Sequence, residues 1–93
     1  MKLRLFTQPK CPKCPAAKAV ADSVSKHRKD IEVEVLDITD PNNMTTALIL
    51  QIVSTPSFTI DETPIFVGET PTFDSLNKRI DDYKTRSKFV SSQ

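Results

Sequence analysis

The stretch Lys2-Leu3-Arg4-Leu5-Phe6-Thr7-Gln8-Pro9-Lys10-Cys11-Pro12-Lys13-Cys14-Pro15-Ala16-Ala17 decides the reading of this chain. Its first half alternates Leu3 and Leu5 with polar neighbours and closes on Phe6, the pattern of a short strand. Its second half opens an apolar stripe at helical spacing: Ala17, Val20 and Val24, flanked by Ala16 and Ala21, with Lys18, Asp22 and Lys26 on the opposite face. The helix is expected to run from Pro12 to about Lys29, with Pro12 at the first position, where its missing N–H costs nothing. Cys11 and Cys14, the chain's 2 cysteines, sit at the junction. Two intervening residues bring both sulfurs to one face of the first turn, near enough to bond. The helix N-terminus favours a thiolate, the reactive form of the side chain. A reversible dithiol/disulfide couple is the first implication.

Beyond that junction, Ile31 to Ile38 reads as a second strand, with Ile31, Val33, Val35 and the run Leu36-Asp37-Ile38 carrying its apolar side. Asp40-Pro41 is an N-cap followed by proline, so a second helix starts there. Its body, Met44 to Val53, is β-prone in composition, but cap and length favour helix. Ser57–Ile60 and Pro64–Val67 form a hairpin around Asp61-Glu62-Thr63, closed by Gly68, the only glycine, where a positive φ fits. Phe73, Leu76, Ile80 and Tyr83 mark a last helix, starting at Thr70-Pro71 or Thr72. Residues 87–93 are expected to fray. The order is β-α-β-α-β-β-α. It implies an α/β domain with a four-stranded mixed sheet and helices on both faces, parallel across the strand–helix–strand unit and antiparallel in the hairpin.

Composition narrows the function. Ninety-three residues suit one domain, 1–93. Thirteen basic against 12 acidic residues leave a formal charge of +1, which argues against a nucleic-acid partner. The N-terminus has no long apolar run, so neither export signal nor membrane span is expected, and a cytoplasmic location follows. In that compartment a disulfide is more often catalytic than structural. Cys11–Cys14 also closes too short a loop to restrain the unfolded chain much. Metal or iron–sulfur cluster binding across a dimer is the alternative: one CxxC supplies two of the usual four ligands, and His27 is the only other soft one. His27 lies at the far end of the first helix, roughly 20 Å away at ~1.5 Å per residue, too far to serve as a base for Cys11. Its place there compensates the helix dipole.

Taken together, these residues resemble the thioredoxin fold, most closely the short glutaredoxin-like or thioredoxin-like redoxins of prokaryotes. Cys11-Pro12-Lys13-Cys14 is similar to the glutaredoxin Cys-Pro-aromatic-Cys motif, with Lys13 in place of the aromatic residue. Val53-Ser54-Thr55-Pro56-Ser57-Phe58 resembles the segment bearing that family's cis-proline. Pro64-Ile65-Phe66-Val67-Gly68 resembles its last strand and closing glycine. Departures are equally plain: Lys10 precedes Cys11 where thioredoxins have Trp, and Leu5 falls near their buried Asp.

The resemblance implies a thiol–disulfide oxidoreductase acting as a monomer on disulfide-bearing proteins or glutathione-mixed disulfides. Glutathione or a reductase protein would be the electron donor, and no organic cofactor, metal, membrane or nucleic acid would be needed. Cys11 is the expected nucleophile, its pKa below the free value of ~8.5 through the helix terminus, Lys10 and Lys13, and Cys14 resolves the mixed disulfide. A basic residue between the cysteines stabilises the reduced form and makes the couple a better oxidant. Pro56 is expected cis, turning the Thr55 backbone outward to pair with an extended substrate beside Lys10, Pro12 and Lys13. Glu69 is set to repel the glutamyl carboxylate of glutathione, while Lys10 and Lys13 attract the glycyl one. Thr70 and Thr72, at a helix N-terminus, are expected to cap the last helix rather than to contact glutathione.

Overall fold

Alternation along the first strand makes it two-faced, and both faces are covered. The computed structural model describes residues 1–52 and 54–91, with side chains to residue 85. Its elements are β1 (Lys2–Thr7), α1 (Cys14–His27), β2 (Glu32–Asp37), α2 (Pro41–Ile49), β3 (Ser57–Ile60), β4 (Thr63–Val67) and α3 (Phe73–Ser91). The sheet order is β2-β1-β3-β4. β1 runs parallel to β2 and antiparallel to β3, and β3 pairs antiparallel with β4. The mixed sheet and the element order are those expected from the sequence.

Leu3 and Leu5 of β1, with Phe58 and Ile60 beside them on β3, are fully buried among Ala17, Ala21 and Val24 of α1 and Leu76 and Ile80 of α3. Phe6 points the other way and packs with Ala47 of α2 and with Ile52. Each large side chain so buried contributes on the order of 1.5–3 kcal/mol. Among the described residues no helix is long and apolar enough to cross a membrane.

The element ends differ from expectation for identifiable reasons. α1 begins at Cys14, not Pro12. The Cys11 N–H donates to Gln8 O (3.2 Å) and the Cys14 N–H to Cys11 O (3.4 Å), so successive turns occupy residues 8–14. Pro15 therefore holds the first-turn position expected for Pro12. α1 stops at His27 rather than Lys29 because Arg28 turns extended (φ −129, ψ 120). There its guanidinium meets Asp30, Asn77 and Asp81. Ala16, expected on the apolar flank, is exposed.

Asp40 caps α2 as expected, accepting from Asn42 N–H at 2.9 Å and Asn43 N–H at 3.4 Å. The helix nevertheless ends at Ile49, short of the expected Val53, which lies outside the described residues. Gln51 takes φ 61, its N–H donates to Leu48 O, and the Ile52 N–H reaches back to Ala47 O. These two bonds form a Schellman stop, sealed by the Ile52–Ala47 contact.

In the hairpin, β4 starts at Thr63. Asp61 turns the chain at φ 56, and its carboxylate accepts the Lys2 N–H at 3.0 Å. α3 begins after Thr72, whose hydroxyl accepts the Ser75 N–H at 3.1 Å. The frayed tail expected at 87–93 falls where side chains are not described; α3 extends to Ser91, and residues 92–93 lie outside the described residues.

Candidate active site

Cys11 and Cys14 meet where β1 hands over to α1. Cys14 is the first residue of α1, and Cys11 lies in the preceding turn. Their Cα atoms are 5.4 Å apart and their sulfurs are joined as a disulfide. Both residues are buried, Cys11 at 8% exposure and Cys14 at 4%, so the leading sulfur belongs to the more accessible residue. Lys13 occupies the N-cap position and supplies no side-chain acceptor, which leaves α1 without a side-chain cap. The positive end of the helix is thus directed at the sulfurs. A thiolate formed at Cys11 would be a charge in that field.

The pair opens into a cleft of about 340 Å³ lined by Thr7, Gln8, Pro9, Pro15, Lys18, Val35 and Asp37 as well as both cysteines. Lys18 is one helical turn beyond Cys14. The Lys18 spacing was legible in the sequence, but its role as a wall appears only once β2 is laid beside α1. Val35, expected inside, is 45% exposed at this edge. Asp37 ends β2; the Thr39 hydroxyl (2.7 Å) and N–H (2.8 Å) donate to its Oδ1. Those bonds, with Lys18 nearby, hold its pKa below the ordinary carboxylate value. Another cleft, about 330 Å³, lies on the α2 side among Arg4, Glu34, Leu36 and Ile49 and contains neither cysteine.

A second loop, Ser54–Pro56, leads into β3 at the same end of the sheet, since Phe6 near the end of β1 is paired with Ser57. The Thr55–Pro56 bond is cis, as the resemblance implies, and Pro56 is fully buried while Thr55 is half-buried. The end of β4 holds this loop. The Gly68 N–H is shared by Pro56 O (2.9 Å) and the Ser57 hydroxyl (3.2 Å), and that hydroxyl donates to Ser54 O. Gly68 has the positive φ expected of it, +75, and a Cβ there would stand 2.9 Å from Ser54 Cβ.

Thr70 is not a cap. Its hydroxyl donates to Lys13 O at 3.3 Å, so residues 68–70 tie the proline loop to the cysteine loop. Thr72 is the residue that caps. Ser57 did not stand out in the sequence as part of a site, because a lone hydroxyl at the start of a strand carries no period or spacing, and Thr70 stood out only as a helix-start residue.

Lys10, Pro12 and Lys13 are exposed around the pair. Among the described residues neither lysine is ion-paired. Glu69 is exposed, between Gly68 and Thr70. His27 sits at the opposite end of α1, its Nδ1 2.8 Å from Ser23 O and its ring edge-on to Phe73. Among the described residues no group of three or more His, Cys, Asp or Glu side chains is placed to hold a metal ion.

The model of the thioredoxin domain family matches residues 1–81. A curated thioredoxin of Methanocaldococcus jannaschii is 36% identical over 81 residues, covering 86% of this chain and 92% of the relative. Among solved structures, thioredoxin 1 of the thermophilic eubacterium Thermosipho africanus superposes with a TM-score of 0.70. It is 23% identical, and the match covers 95% of this chain and 99% of that one. A designed protein follows at a TM-score of 0.66 and 19% identity, over 88% of this chain and 74% of its own; these last two bear on fold alone. With the bonded Cys11–Cys14 pair at the start of α1, the matches make this chain a thiol–disulfide oxidoreductase belonging to the thioredoxin family.

Proposed function

We propose that the reduced protein carries electrons to disulfides of other proteins, with Cys11 as nucleophile and Cys14 as resolving thiol. The observation that carries this reading is the position of the pair: bonded to each other, ahead of an uncapped helix, with Cys11 the more accessible. The Cys11 thiolate attacks one sulfur of the substrate disulfide. A Cys11–S bond forms, the substrate S–S bond breaks, and the departing thiolate takes a proton from water. Cys14, deprotonated in turn, attacks the Cys11 sulfur and releases the second substrate thiol. Two electrons have then passed to the substrate, and the protein holds the Cys11–Cys14 disulfide described above.

In this reading the Thr55 backbone beside Pro56 pairs with an extended substrate segment, and Lys10, Pro12 and Lys13 frame its approach. No organic cofactor or metal takes part, and the protein works as a cytoplasmic monomer. A reductase protein restores the dithiol; glutathione is the weaker donor, because the carboxylate of Glu69, which is exposed, would repel the tripeptide's glutamyl carboxylate.

The test compares two donors on the oxidised protein: glutathione with its reductase, and a thioredoxin reductase with NADPH. Rapid reduction by the second alone is the expected result. Fast equilibration with glutathione would assign the protein a glutaredoxin's role instead.

A further inference from the structure

Ser57 is completely buried, yet its hydroxyl takes no part in the sheet ladder to which its backbone belongs. It turns back along the chain and donates to Ser54 O, three residues earlier, and it accepts the Gly68 N–H at 3.2 Å. Ser54 and Ser57 are the two ends of a loop whose middle is Thr55–Pro56. The hydroxyl therefore closes that loop on itself and fastens it to the end of β4. A serine hydroxyl has one proton to give and lone pairs to accept with, and both are used here. An alanine would leave the Gly68 N–H its bond to Pro56 O but strip Ser54 O of its donor.

The start of the loop is equally confined. Gly68 approaches so closely that an added Cβ would meet Ser54 Cβ at 2.9 Å. From the same segment Thr70 reaches Lys13 O, between the two cysteines in sequence. The Thr55 backbone is thus tied toward the cysteine loop through two hydroxyls, Ser57 and Thr70, and one glycine.

We propose that Ser57 is a positioning residue: its hydroxyl holds the Ser54–Pro56 loop at the depth where a substrate backbone docks beside Cys11. The proposal rests on the reading that Thr55 and Pro56 meet the substrate. It separates substrates by kind, because a peptide disulfide needs that docking backbone and a small symmetrical disulfide such as bis(2-hydroxyethyl) disulfide has no backbone to pair.

The experiment measures kcat and KM of the full chain and of Ser57→Ala with both substrates, after circular dichroism has shown each to be folded. The expected result is a fall of about tenfold in the ratio of kcat/KM for peptide over small disulfide, carried by KM for the peptide; an ångström of misplacement is enough for this. A parent inactive on both substrates would overturn the redox reading itself. An active parent whose ratio survives Ser57→Ala, or a variant that loses both activities in parallel, would overturn the role of Ser57 alone. Should Ser57→Ala not fold, Gly68→Ala presses on Ser54, the residue the Ser57 hydroxyl holds. The same fall in ratio is then expected, and an unchanged ratio would equally overturn the proposal.

Discussion

Lys13 shows how much chemistry a single residue of this site carries. It stands between the cysteines, caps nothing, and leaves its exposed charge near the sulfurs. Lys13→Glu exchanges attraction for repulsion of a Cys11 thiolate. Alkylation of the reduced protein by iodoacetamide at neutral pH is expected to slow about two- to fivefold in dilute buffer, with the difference shrinking at high salt because the charge is exposed. A salt-independent rate would contradict this. Gly68 is the second case: a side chain at φ +75 meets both backbone strain and Ser54. Gly68→Ala is expected to destabilise the protein by about 1–2 kcal/mol or more, read from urea unfolding. At this scale the sequence announced Cys11, Cys14, Pro56 and Gly68, since each has a spacing or a backbone property that restricts what it does. Ser57 was silent and Thr70 was read as a cap, because a hydroxyl acquires its partner only when distant parts of the chain are brought together; Asp37 was silent because it becomes a wall of the cleft only once β2 lies beside α1.

Among the elements, the ends are where reading and structure part. The apolar periods placed α1 and α3, and the Asp40-Pro41 cap fixed the start of α2. The stop of α2 was hidden because its left-handed residue is Gln51 rather than glycine, so the β-prone run after Leu48 offered no visible break. That same feature makes a prediction. Gln51→Gly relieves the left-handed strain at the helix stop and is expected to stabilise the protein by about 0.5–1 kcal/mol, seen as a higher urea midpoint at constant slope. A lower midpoint would show that the added freedom of the unfolded chain outweighs the strain. The start of α1 was misplaced for a related reason. Both Pro12 and Pro15 suit a first turn, and only the backbone bonds from Cys11 to Gln8 and from Cys14 to Cys11 choose between them.

For the whole molecule, connectivity carried the parallel β1–β2 pair and the antiparallel β3–β4 hairpin, but not the strand order or the reversal of β3 against β1, although a helix also joins β2 to β3. Nor could connectivity show how the end far from the cysteines is tied. Arg28, beyond α1, bonds Asp30 at 3.1 and 3.3 Å and reaches Asn77 and Asp81 on α3 at 2.8 Å, while Lys84 bonds Asp30 at 2.7 Å. Hydrogen bonds from Arg28 and Lys84 hold the Asp30 carboxyl well below its ordinary pKa. A depressed carboxylate pKa contributes stability above the unfolded value of about 3.9, and that contribution is lost as pH falls through the folded value. Because the Asp30 carboxylate is exposed, the amount is under about 1 kcal/mol. The melting temperature of Asp30→Asn should therefore lie below that of the parent at pH 6 and converge with it toward pH 2. Parallel curves would show that Asp30 is not coupled to folding.

The most direct test of the exchange mechanism is the covalent product of Cys14→Ser with a peptide disulfide, mapped by mass spectrometry after proteolysis. The account predicts a stable mixed disulfide between the peptide and Cys11, and none with Cys11→Ser. No adduct at Cys11, or turnover by Cys11→Ser equal to that of the parent, would contradict it.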